Sequence, residues 1–152
     1  MIRAAVIGDG GWGTALSLLL HDNGHQVKVW GPCPEYAEKV NAERESPAYL
    51  PGVAIPEEIE FSSDPEKVAA AAEVVVLAVP SRFYTDVLSR FQHILPESAL
   101  LMSVTKGLDK ATRRRMTDLA EAQTGRGPVA ALSGPSFAEE VARKLPTAVV
   151  IA

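Results

Sequence analysis

The chain of 152 residues holds a single cysteine, Cys33. No internal disulfide is possible, and a zinc cluster would need several Cys or His at fixed spacing. The three histidines, His21, His25 and His93, show no such spacing. No metal site is expected. Long apolar runs are also lacking. The longest, Val74 to Pro80, falls far short of a membrane span. Met1 to Gly8 is too short an apolar run for a signal peptide, because Gly8 opens a Gly-rich turn. An excess of positive charge is missing too. Fifteen Lys and Arg stand against 19 Asp and Glu, a net charge of −4. Nucleic-acid binders favour strongly basic faces, so no nucleic-acid partner is expected. The one basic run, Arg113-Arg114-Arg115, reads as a solvated helix face. These absences indicate a soluble protein of a reducing compartment, most simply the cytoplasm, with no membrane partner.

What is present is ordinary for a folded domain: 47% hydrophobic and 22% charged residues. That supply of apolar side chains excludes intrinsic disorder. The length suits one domain, residues 1–152. Short β-branched runs alternate with longer helical stretches. Strands are expected at Ala4–Ile7, Gln26–Trp30, Ile59–Ser62, Val74–Val79, Leu100–Thr105, Pro128–Leu132 and Thr147–Ile151. Helices are expected at Trp12–Asn23, Pro34–Arg44, from Asp64, and at Tyr84–Leu95, Thr112–Gln123 and Ser136–Arg143. Asp64-Pro65-Glu66 is a helix start, with Asp as cap and Pro in the first turn. The Pro-rich stretch Ser46 to Pro56 reads as loop. This alternation predicts an α/β fold of the Rossmann type, a doubly wound and mainly parallel sheet with helices on both faces. The chain stops inside the apolar run Val149-Val150-Ile151-Ala152. A polar tail is missing, so an N-terminal piece of a longer protein is expected.

Gly8-Asp9-Gly10-Gly11-Trp12-Gly13 follows the first strand and opens the first helix. The chemistry of Gly-x-Gly-x-x-Gly in that place is specific. Gly8 permits a tight turn, Gly10 lets a pyrophosphate approach the backbone, and Gly13 lets helix and strand pack closely. The free N–H groups of the helix start then face the anion. The second strand ends differently from expectation. A nicotinamide dinucleotide site normally carries an acid there for NAD, or a nearby Arg for NADP. Here the tip is Trp30-Gly31-Pro32-Cys33-Pro34, neither acidic nor basic, and Glu35 comes late. The neutral tip leaves NAD or NADP open and predicts little discrimination between them. Cys33 reads as a loop residue.

In an open parallel sheet, ligands sit beyond the carboxyl ends of the strands. Pro80-Ser81-Arg82-Phe83 follows the central strand. Phe83 suits an apolar wall for a nicotinamide, or the first core anchor of the next helix. Thr105-Lys106-Gly107 follows another strand. Lys106 suits a phosphate or a carbonyl oxygen, or plain solvation. Ser133-Gly134-Pro135-Ser136-Phe137-Ala138-Glu139 follows a third. Ser136 and Glu139 have the spacing of a capping box, and the same turn suits a second anion.

These residues resemble the N-terminal half of NAD(P)-dependent glycerol-3-phosphate dehydrogenases. The resemblance rests on Gly8 to Leu16, Tyr49-Leu50-Pro51-Gly52, Val79-Pro80-Ser81, Thr105-Lys106-Gly107-Leu108, Ser133 to Glu140 and Leu145-Pro146-Thr147-Ala148. It implies interconversion of dihydroxyacetone phosphate and sn-glycerol 3-phosphate, feeding glycerophospholipid synthesis. It implies cofactor contacts at Gly11, Trp12, Phe83, Lys106 and Ala138, and substrate contacts at Lys106, Gly134 and Ser136. Of these, Lys106 is the catalytic candidate. Pro32 and Cys33 stand where the family often has basic residues. The family's C-terminal helical domain, which supplies a proton-transferring lysine and most of the phosphate pocket, is absent here; a homodimer would form through it. Three rivals stay open: another dehydrogenase on a similar domain, a non-catalytic nucleotide sensor, and a structural domain whose glycines only pack.

Overall fold

The computed structural model describes residues 1–152. Seven strands form one sheet in the order β5-β2-β1-β6-β7-β8-β9. They are β1 (Arg3–Ile7), β2 (Gln26–Trp30), β5 (Glu60–Ser62), β6 (Val74–Leu77), β7 (Leu100–Ser103), β8 (Ala130–Ser133) and β9 (Val150–Ile151). All neighbouring pairs are parallel except β8 and β9, which run antiparallel. The sheet is therefore mainly parallel, as the sequence predicts.

The apolar strands are continuous because both faces are covered. On β1, Ala5 and Ile7 enter one core and Ala4 and Val6 the other. On β6, Val75 and Leu77 join the first, with Val76 in the second. The first core is closed by α3 (Pro65–Ala69), α4 (Tyr84–Phe91) and α5 (Met116–Thr124). The second is closed by α1 (Gly11–Asp22), α2 (Pro34–Glu43) and α6 (Ala138–Ala142).

Asp64 caps α3 as expected, accepting from the Glu66 and Lys67 N–H groups, with Pro65 in the first turn. Three expectations fail. The stretch read as loop, Ser46 to Pro56, contains a strand, β4 (Leu50–Ala54), paired antiparallel with β3 (Glu45–Ser46). Leu50 anchors this ribbon in the core at 1% exposure. The expected helix Thr112–Gln123 begins only at Met116. Arg113 has a positive φ of 61°, which breaks the helix. The basic run is thus not a helix face: Arg115 is the N-cap of α5 and pairs with Asp118 at 2.8 Å. The third failure is α6, which starts at Ala138 rather than Ser136.

The chain leaves β1 toward β2 and β5, then returns to β6 on the other side of β1. The carboxyl ends of β1 and β6 therefore flank the switch point of the sheet. That is where an open α/β sheet forms its ligand crevice.

Candidate functional site

At the switch point, each glycine of the first turn meets a different constraint. Gly8 has φ +125°, and a Cβ there would lie 2.6 Å from the Ala78 carbonyl oxygen. Its N–H donates to the Trp30 carbonyl at 2.9 Å, which ties the turn to the end of β2. A Cβ on Gly13 would fall on the Gly8 carbonyl, so α1 can approach β1 only with glycine there. Gly10 differs: nothing lies within 4 Å of a Cβ built on it. Its face is open to a ligand. A Cβ on Gly11 would lie 2.6 Å from the Tyr49 carbonyl oxygen and 3.6 Å from Ala138 Cβ. The β3–β4 ribbon and α6 thus close over the start of α1. No side chain caps α1 and no acid occupies its first turn. Its first N–H groups keep their donors for an incoming anion.

Beside this turn lies a cleft of about 460 Å³ at the carboxyl edge of the sheet. Trp12, Pro80, Thr105, Lys106, Ser136 and Ala138 line it. The Thr105 hydroxyl donates to the Val79 carbonyl at 2.7 Å, which pins the loops after β6 and β7 together. Lys106 is exposed, and its Nζ donates to the Gly134 carbonyl at 3.4 Å. An adjoining hollow of about 440 Å³ is lined by Lys106, Gly107, Arg115 and Gly134. Lys106 borders both spaces, so one ammonium can address anions in either.

Of the residues selected from sequence, Trp12, Lys106, Ser136 and Ala138 meet in the first cleft. Gly134 does not line it and is tied to it through its carbonyl, which accepts from Lys106 and from Ser136. Its lack of a side chain has a packing cause, since a Cβ would lie 2.7 Å from the Ala148 carbonyl oxygen. Ser136 does not cap α6. The N-cap is Phe137, which makes no side-chain cap, and Ser136 Oγ instead donates to the Gly134 carbonyl at 3.3 Å. With only five residues in α6, its dipole is a weak anion site. Phe83 does not line the cleft. Neither is it a core anchor: it is 46% exposed beneath the Arg82 guanidinium, 4.6 Å from its ring centre. Tyr84, 2% exposed, is the anchor of α4. Cys33 is exposed, as a loop residue should be, and stands at the N-cap of α2.

Sequence reasoning passed over Asp9, Tyr49 and Thr105 as site residues. Asp9 is buried at 9% exposure within the glycine turn. Burial pushes its carboxyl above the usual aspartate value, partly offset by its own backbone N–H. A Cβ on Gly31, just past β2, would fall on Asp9 Oδ2. The structure therefore places an acid at the β2 tip that the local sequence lacks.

A family model described as the N-terminus of NAD-dependent glycerol-3-phosphate dehydrogenase matches residues 3–152. A glycerol-3-phosphate dehydrogenase [NAD(P)+] of Corynebacterium kroppenstedtii is 40% identical over all of this chain and 46% of its own length. One of Pelotomaculum thermopropionicum is 43% identical over 99% of this chain and 44% of its own length. The crystal structure of the Coxiella burnetii glycerol-3-phosphate dehydrogenase superposes with a TM-score of 0.92 at 32% identity. It aligns with 99% of this chain and 46% of that one. The chain spans about half the length of the relatives it matches.

Proposed function

The chain belongs to the NAD-dependent glycerol-3-phosphate dehydrogenase family, as its N-terminal domain, and on that premise we propose that it forms the cofactor half of an oxidoreductase. The reaction is interconversion of dihydroxyacetone phosphate and sn-glycerol 3-phosphate with NAD(H) or NADP(H). The observation that carries this reading is the cleft of Trp12, Lys106, Ser136 and Ala138 directly beside an open Gly10.

The residues fit a dinucleotide. The open face at Gly10 and the uncapped start of α1 suit its pyrophosphate. Trp12, Pro80 and Ala138 offer apolar walls further along the cleft. The bound nicotinamide supplies or accepts the hydride at C2 of the triose phosphate. Lys106 positions the reacting oxygen or the phosphate by a charge-assisted hydrogen bond. Ser136, buried and tied to the Gly134 carbonyl, holds the turn that faces the substrate. A proton donor and the remaining phosphate contacts come from a helical domain outside residues 1–152, which is also the surface for any homodimer.

The product feeds glycerophospholipid synthesis. The cytoplasm is the proposed location; no helix is long and apolar enough to cross a membrane, and the exposed Cys33 thiol is free. Full-length protein carrying Lys106→Ala tests the assignment. We expect kcat/KM for dihydroxyacetone phosphate to fall by on the order of 10², since a charge-assisted contact is worth about 1.5–3 kcal/mol. The melting temperature should stay at the parent value, because Lys106 is exposed. Unchanged kcat/KM would return Lys106 to a solvated surface residue.

A further inference from the structure

Asp9 as a residue is 9% exposed, and its carboxyl joins no ion pair and accepts no hydrogen bond from any other residue. A carboxylate largely withdrawn from water and bonded only by its own backbone N–H has acceptor capacity left for donors that a ligand brings. Its position says which donors. Gly8 is bonded to Trp30 at the end of β2, and Asp9 Oδ2 fills the space that a side chain at Gly31 would need. In dinucleotide-binding sheets, the tip of this strand is where an acid accepts from the 2′-hydroxyl of the adenosine ribose. Here Gly31, Pro32, Cys33 and Pro34 carry no acidic or basic side chain. The glycine at 31 makes room for the acid to come from the preceding turn.

We propose that Asp9 is the residue that reads the adenosine ribose, accepting a hydrogen bond from its hydroxyls and excluding a 2′-phosphate, so that the site prefers NAD(H) to NADP(H). This rests on the dinucleotide-binding reading above and refines it. A 2′-phosphate would meet a second negative charge in a poorly solvated place. The strand tip and the first turn of α2, residues 31–37, contain no Lys or Arg to receive it, and Lys39 further along α2 is turned to Glu43 at 4.0 Å. The other acid nearby, Glu35, is exposed and takes a hydrogen bond from the Cys33 thiol at 3.2 Å. Solvent screens it, so it contributes little to the choice.

The test is direct binding of NADH and NADPH to full-length protein, followed by calorimetry, for the parent and for Asp9→Asn, Asp9→Ser and Glu35→Gln. Asn keeps the shape of the side chain and removes the charge; Ser provides a smaller, neutral alternative where Asn perturbs folding, as a melt will show. We expect the parent to bind NADH more tightly than NADPH by on the order of tenfold or more. Asp9→Asn and Asp9→Ser should shift the affinity ratio toward NADPH by a similar factor, and Glu35→Gln should leave it within about twofold. ADP-ribose and its 2′-phosphate should show the same shift, independent of the nicotinamide. A folded Asp9 variant with the parent ratio would overturn the inference and leave the dinucleotide site standing. A ratio that moves with Glu35→Gln alone would overturn it as well. A folded parent that binds neither dinucleotide would overturn the dinucleotide reading itself and the inference with it.

Discussion

At the residue scale, the glycines of the first turn separate into those that packing requires and one, Gly10, whose Cβ position the fold leaves open. Gly13 belongs to the first kind, because a Cβ there would fall on the Gly8 carbonyl. Gly13→Ala should lower stability by about 1–3 kcal/mol, the usual range for overpacking; chemical denaturation of the variant against the parent checks this. Ser136 carries a different lesson. Its spacing to Glu139 is that of a capping box, yet the N-cap of α6 is Phe137. The phenylalanine ring is 68% exposed, and Ser136 instead turns back to Gly134. A capping box needs the right φ and ψ at the cap as well as the right residues, and spacing carries no information about those angles. Ser136→Ala therefore removes one 3.3 Å hydrogen bond and no cap. We expect a stability change of at most about 1 kcal/mol, with substrate affinity reduced if the hydroxyl touches substrate. Parallel melts and KM measurements distinguish the two effects. Asp9 was hidden in sequence for a related reason: an acid at a strand tip is sought on that strand, and only the three-dimensional neighbour reveals it.

At the scale of elements, strands flanked by helices were legible because both faces of β1 and β6 are buried and their sequences are continuously apolar. The β3–β4 ribbon was not. Pro47, Pro51 and Pro56 mark the stretch as loop, while its pairing depends on the few residues between them and on burial of Leu50. The start of α4 shows a second limit of pattern reading. Phe83 and Tyr84 are adjacent aromatics, and only the turn that precedes the helix decides that Tyr84 goes inward. That choice has a pH signature. Burial pushes the Tyr84 phenol from 10.0 up to about 12. The folded state thus holds this proton more tightly than the unfolded state. The stability it contributes is complete below about pH 10 and is lost as pH rises toward 12. Denaturant titrations at pH 8 and near pH 11.5 should show the parent losing on the order of 2 kcal/mol more than Tyr84→Phe, which has no phenol to ionise.

At the scale of the whole molecule, the order of the strands places the chemistry. β1 sits between β2 and β6, so the glycine turn, the Pro80 turn and the Lys106 loop all emerge at one edge. The sequence indicates a parallel sheet and its strand ends, but strand order is a long-range property that local patterns do not encode. The antiparallel β9 is of the same kind; its two residues pair with β8 beside Gly134, whose missing side chain accommodates the Ala148 carbonyl. The open face at Gly10 is the proposed seat of the dinucleotide pyrophosphate. Calorimetric titration of NADH into the parent and into Gly10→Val tests it most directly. Gly10 has φ −70° and ψ 176°, and no atom lies within 4 Å of a Cβ there, so the valine variant should fold, with its stability lowered by about 1 kcal/mol because valine is a poor N-cap residue. We expect the parent to bind NADH and the folded variant to show no binding; a folded Gly10→Val protein that binds NADH with parent affinity would mean that the pyrophosphate does not sit at Gly10.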